Sequence, residues 1–223
     1  MAFFSSLRCR RLASVAMLIG VLGLSASATG AAEATPAEQP GAAVVTGFRS
    51  ATFGMTEAQV IAAIQKDFKV NRPDIAVEQN KIERTTSISV TVPDLLPDTG
   101  KAKLAYILGH KSKTLIQINV GWGAVAGVPA TAEQLLGTAQ LLKTYLLGAG
   151  YDPQKSAVDA VLPDGSVMLF RGITTQGPAT ILTLSGPVEQ TGDRKTLTPA
   201  ALSLSYISNP GNPDIYRIPK GQF

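Results

Sequence analysis

The sequence predicts an α+β fold: a tandem αβββ repeat, with each helix packed on one face of an antiparallel sheet. Two observations predict it. A Thr-x-x-Gln helix start occurs twice, at Thr56–Gln59 and at Thr131–Gln134. After each start come runs of four to eight residues that alternate apolar with polar, separated by turn residues. A sheet with one apolar face needs a cover, and each half supplies one amphipathic helix to provide it.

Residues 1–32 are expected to be a cleaved secretory signal and are set aside before any fold reasoning. Arg8, Arg10 and Arg11 form a positive n-region, and Leu12 to Leu24 is an uncharged apolar run of 13 residues. A transmembrane helix needs about 20 such residues. Small residues follow, with A-x-A-like cleavage positions at Ala26/Ala28 and Gly30/Ala32. Leu12-Ala13-Ser14 after the arginine pair does not fit twin-arginine export, so ordinary secretion is expected. The implied location is periplasmic or secreted, with no membrane span after cleavage. Residues 33–47, rich in Ala, Pro, Gly and Glu, are expected to be a flexible segment.

The first repeat is assigned to residues 48–127. Thr56 caps a helix, Gln59 reaches back to the cap N–H, and Met55 and Val60 are spaced as a hydrophobic staple. Val60, Ile61, Ile64 and Phe68 repeat at helical spacing, and the helix is expected to end near Phe68, before Asn71-Arg72-Pro73. Three strands follow. Ile88, Val90 and Val92 mark the first, Leu104, Tyr106 and Leu108 the second, and Ile116, Ile118, Val120 and Trp122 the third. Trp122, between Gly121 and Gly123, is expected to point to the core.

The second repeat is assigned to residues 128–208. Leu135, Leu136, Ala139, Leu142, Leu146 and Ala149 form the helix stripe, with Gly148 and Gly150 as the stop. Pro163-Asp164-Gly165 turns the chain into a strand over 166–172, and 180–185 and 202–207 complete the meander. A run from Val158 to Leu162 is a candidate extra strand. Residues 209–223 form a Pro/Gly-rich tail that Tyr216 and Ile218 could pin to the fold.

Composition narrows the function. The chain has 223 residues, 45% hydrophobic, with 20 basic and 16 acidic side chains. From Glu33 onward the balance falls to 17 against 16, which leaves no electrostatic footprint for nucleic acid. The single cysteine, Cys9, lies in the expected signal, so thiol chemistry and disulfides are excluded from the exported chain. No Walker A loop, Gly-x-Gly-x-x-Gly, His-Glu-x-x-His or Gly-x-Ser-x-Gly pattern occurs, and no catalytic residue, cofactor or metal is assigned. His110, the only histidine, sits between lysines in a turn and reads as surface. Asp94 with Asp98, and Asp159 with Asp164, read as turn residues.

The informative feature is the face of the first meander opposite its apolar stripe. It carries Ser87, Ser89, Thr91, Lys101, Lys103, Ile107, Leu115, Gln117 and Asn119. Lys103, Ile107, Gln117 and Asn119 are the candidate partner-binding residues on this open face. The function expected is that of an exported, non-enzymatic binding or scaffolding protein of the bacterial envelope, contacting a protein partner. The alternatives are a cofactor-free, carboxylate-based periplasmic hydrolase, expected to show converging carboxylates, and a carrier of a small apolar ligand, expected to show a large apolar cavity.

Phe53-Gly54-Met55-Thr56-x-x-Gln59-Val60 is similar to the Gly-Met-Thr-x-x-Gln-Val helix start of the BamE/SmpA-like small envelope proteins. The doubled plan resembles the β-lactamase inhibitor protein fold, a tandem repeat of helices on antiparallel sheet. The resemblance implies that fold and an envelope location, and it carries over no binding residue. The chain departs from BamE in having no lipidated Cys, and from the inhibitor family in having none of its cysteines.

Overall fold

Each helix begins where its capping residues lie. In the computed structural model, which describes residues 41–223 except 193, 220 and 223, α1 spans Glu57–Phe68 and α2 spans Ala132–Leu147. The Thr56 backbone N–H donates to Gln59 Oε1 at 2.9 Å, and the Thr131 N–H donates to Gln134 Oε1 at 3.0 Å. Both boxes therefore satisfy a donor that a helix start otherwise leaves unpaired. α1 stops at Lys69, which takes the left-handed conformation at φ 57°. The expected signal, residues 1–32, and most of the expected flexible segment lie outside the described residues.

Twelve strands are described. A small hairpin, β1 (Gly47–Phe48) with β2 (Ala51–Thr52), precedes α1. Then come β3 (Ala76–Gln79), β4 (Thr86–Val92), β5 (Ala102–Leu108) and β6 (Leu115–Gly123). After α2 the chain makes β7 (Ser156–Val161), β8 (Val167–Ile173) and β9 (Ala179–Ser185). A separate hairpin, β10 (Val188–Thr191) with β11 (Arg194–Leu197), leads into β12 (Ala201–Ile207).

Eight of these strands form one antiparallel sheet in the order β3-β4-β5-β6-β12-β9-β8-β7. The chain is thus α+β, with both helices on the same side of a single sheet. The expected three strands per half are corrected to four. β3 was absent from the sequence pattern because its Ala-Val-Glu-Gln is short and exposed throughout, an edge strand with no apolar alternation. β7 is the extra strand anticipated near Val158. The two stretches of chain meet at β6 and β12, where seven consecutive residue pairs run from Ala201↔Gly123 to Ile207↔Gln117.

One core unites these elements. Val60 and Ile64 of α1, Leu135 and Leu146 of α2, and Ile88, Tyr106, Trp122, Phe170, Leu182 and Leu202 of the sheet are all buried in it. Trp122 is buried, as its place in the strand alternation predicts. The α2 stripe differs from expectation at Leu136, at Thr138, which joins it, and at Ala149, which lies beyond the helix. Leu135, Thr138, Ala139, Leu142 and Leu146 face the sheet, while Leu136 is half exposed, because the inward row takes steps of three and four from Leu135.

Both chain ends of the fold are tied down. Ala43 and Val45 are buried and the Ala43 N–H donates to the Gly150 carbonyl at 2.9 Å, so packing begins before the expected boundary at residue 48. The C-terminal stretch crosses the β3–β4 and β5–β6 hairpin tips. The Tyr216 N–H donates to the Glu83 carbonyl at 2.8 Å, and the Arg84 guanidinium sits 3.7 Å from the Tyr216 ring centre. Ile218 remains exposed, so of the two expected anchors only Tyr216 acts as one.

Candidate functional site: the uncovered sheet face

Alternation along the strands decides what the helix-free face presents. With Tyr106, Ile118 and Leu204 turned to the helices, their neighbours must face the other way. The register aligns these outward residues into rows that cross the sheet. One row runs Ser87, Ile107, Gln117, Ile207, Ala179, Ile173. The next runs Ser89, Ala105, Asn119, Ser205, Ile181, Arg171. A third passes through Thr91, Lys103, Gly121, Ser203, Thr183 and Met168.

All four candidate residues occupy this face. Gln117 and Asn119 are successive outward positions on β6, and Ile107 pairs with Gln117. Lys103 pairs with Gly121, two positions further along. Lys103, Gln117 and Asn119 line one polar trough of about 460 Å³, together with Ser87, Ser89 and Ser205. Ile107 is half-buried beside Gln117 rather than in the trough wall. The 3-10 turn Ala124–Ala126 folds back to form one side, with Val125 lining the trough over Gly121. A Cβ at Gly121 would come within 2.6 Å of Val125 Cγ2, so a glycine is what lets this wall close down.

The trough floor is held by side-chain hydrogen bonds. Asn119 Oδ1 accepts from Gln117 Nε2 at 2.8 Å and from Ser205 Oγ at 2.8 Å. The second bond crosses the β6–β12 junction and joins positions 86 residues apart in sequence. Its consequence is a fixed Asn119 rotamer, which lowers the ordering cost of any contact made there. Among the described residues Lys103 has no carboxylate within ion-pair distance, and Glu78 is the other charged residue lining the trough.

Leu115 is the exception among the residues expected on this face. It is 1% exposed and belongs to the core. The register shifts between Ile107 and Leu108, so Leu108 pairs with Leu115 and Ile116 is the extra residue. One inserted residue moves every side chain before it to the opposite face. The sequence pattern also left out Ser203 and Ser205. Their alternation with Leu202 and Leu204 was visible, but nothing local says that β12 lies beside β6.

The remaining chemistry-bearing residues have separate structural tasks. Asp159 pairs with Lys143 at 2.5 Å, while Asp164 Oδ1 accepts from Ser166 N and Oγ at 3.0 and 2.6 Å. These Ser166 donors hold the Asp164 carboxyl below its usual range. His110 is not the solvated turn residue expected. Its ring meets Tyr216 edge-on at 5.6 Å and its backbone N–H donates to the Asp214 carbonyl at 2.8 Å, because the C-terminal stretch covers the turn. Asp214 also accepts from the backbone N–H groups of Lys111 and Ser112. Burial pushes the Asp214 carboxyl upward, but these donors outweigh it and hold the group below its usual range. Among the described residues no cluster of three His, Cys, Asp or Glu side chains is placed to hold a metal. No described helix is long and apolar enough to cross a membrane.

Comparison with protein-family models, curated proteins and solved structures finds no match.

Proposed function

We propose that this protein is an exported binding or scaffolding module of the bacterial envelope, acting without cofactor and contacting a protein partner through the uncovered sheet face. The observation that carries the reading is the polar trough on that face, lined by Lys103 and with Asn119 held by Gln117 and Ser205. Beside it, Ile107, Ile207 and Ile173 share one row, so apolar contacts adjoin polar ones as in ordinary protein interfaces. The N-terminal arginines and apolar run support export to the periplasm or beyond. The similarity of the Gly54-Met55-Thr56 helix start to BamE/SmpA-like proteins points to the same compartment.

The two stretches α1–β6 and α2–β12 are read as a tandem repeat. Each opens with a capping box and continues with a helix and then four sheet strands. In each, the last strand lies at the centre of the sheet, and the β10–β11 hairpin is an insertion in the second.

The test places a photo-crosslinking amino acid at Gln117 and, as a control, at Glu133 on α2, with the protein expressed in its native envelope. The proposal expects one discrete adduct from Gln117 that is absent from Glu133. Equal adducts from both positions, or none from Gln117, would reject this face as the contact.

A further inference from the structure

The opposite side of the sheet carries a second concave feature. A cleft of about 370 Å³ lies over the β6–β12 junction beside α2. Val120 and Trp122 of β6 and Leu204 of β12 belong to its floor. Leu96 of the β4–β5 loop and Leu142 of α2 are among its walls. Its surface is overwhelmingly apolar, and its volume lies at the small end of the range of about 300–1,000 Å³ usual for ligand pockets. Leu141 and Tyr145 of α2 also line it and are more than half exposed, so it opens to solvent beside that helix.

Arg49 is the only charged side chain among the lining residues. It is exposed, and among the described residues it has no carboxylate within the 4.0 Å of an ion pair. Its Nη1 donates to the Asp67 backbone carbonyl at 3.4 Å, and the Asp67 carboxylate accepts from the Ser50 N–H at 2.9 Å. The guanidinium also lies over the rings of Phe68 and Phe48, at 4.7 and 5.8 Å. Its backbone is left-handed, φ 53°, in the two-residue turn between β1 and β2, where Gly or Asn is the unstrained choice. This turn sets the arginine at the edge of the apolar cleft.

We infer that this cleft binds an amphipathic monoanion of the fatty-acid type, with one acyl chain against Trp122 and Leu204 and the carboxylate at the Arg49 guanidinium. The volume admits a single chain rather than a diacyl lipid, and the charge selects an anionic head. Recognition of this ligand is independent of the partner face, which lies across the sheet.

Trp122 is the chain's one tryptophan and lines this cleft, so its emission can report on binding there. The exported protein is titrated with dodecanoate, dodecanol and dodecyltrimethylammonium below their micelle concentrations. Dodecanoate is expected to change the emission saturably and to bind at least tenfold tighter than the cation. Arg49→Gln is expected to weaken dodecanoate about tenfold, the loss of one charge-assisted contact, and to leave dodecanol unchanged. Arg49→Lys should recover most of the affinity, and matching urea midpoints verify that the variants fold. No emission change with dodecanoate, equal affinity for anion and cation, or undiminished binding by Arg49→Gln would each overturn the assignment. Ile107→Asp/Gln117→Asp should leave this titration unaltered, which separates its failure from failure of the partner face.

Discussion

Leu202 offers a direct test of the junction on which both faces depend. It is fully buried on β12, paired with Trp122 on one side and Leu184 on the other. Leu202→Ala leaves a cavity that cannot collapse easily, because both flanking strands are fixed by backbone hydrogen bonds. A buried Leu→Ala change costs about 2–5 kcal/mol. Taking ~3 kcal/mol, and ~2–4 °C per kcal/mol for a chain of this size, the melting temperature should fall by roughly 6–12 °C. Ser205, on the same strand, points to the other face. Ser205→Ala removes one of two donors to Asn119 and should cost only ~0.5–1 kcal/mol. Thermal unfolding followed by circular dichroism reads both. One cooperative transition shifted strongly by Leu202→Ala and weakly by Ser205→Ala is expected. Two separate transitions, or a Leu202→Ala effect no larger than that of Ser205→Ala, would refute the continuous eight-stranded core.

Three further outcomes follow from particular contacts. A Cβ at Gly109 would lie 2.3 Å from Asp214 Oδ2, so Gly109→Ala should expel that carboxylate and make the chain beyond residue 208 sensitive to limited proteolysis; unchanged cleavage would contradict the pinning. Asp214 has a lowered folded pKa, so its stabilisation is fully present above the unfolded carboxylate value of about 4 and is lost as pH falls through the folded value. The difference in melting temperature between wild type and Asp214→Asn should therefore be constant near neutrality and close as pH falls below about 4. Thr131 Oγ1 accepts from the Gln134 N–H at 3.2 Å, and Thr131→Ala should cost about 1 kcal/mol in urea unfolding.

Much of this architecture was legible because it is local. Thr56/Gln59 and Thr131/Gln134 announce two helices, and the alternation around Val90, Tyr106, Val120 and Leu204 marks four inner strands together with the faces they turn outward. Lys103, Gln117 and Asn119 were recognisable as outward residues for the same reason. What escaped depended on long-range pairing. That β12 borders β6, and therefore that Ser205 completes the Asn119 network, is fixed by contacts 86 residues apart in sequence. The bulge at Ile116 reverses Leu115 without any glycine or proline to signal it. β3 has too little apolar alternation to register as a strand, and the Arg49 cleft is assembled from five separate stretches of chain.

The uncovered sheet face is the proposed contact surface. The most direct measurement is the affinity, for the partner crosslinked through Gln117, of the variant Ile107→Asp/Gln117→Asp. Both residues are half-buried on that face, and paired carboxylates there would desolvate unfavourably against any docked surface. The account expects at least a tenfold loss of affinity, about 1.4 kcal/mol, with an unaltered circular dichroism spectrum. Undiminished affinity in the folded double variant would contradict it.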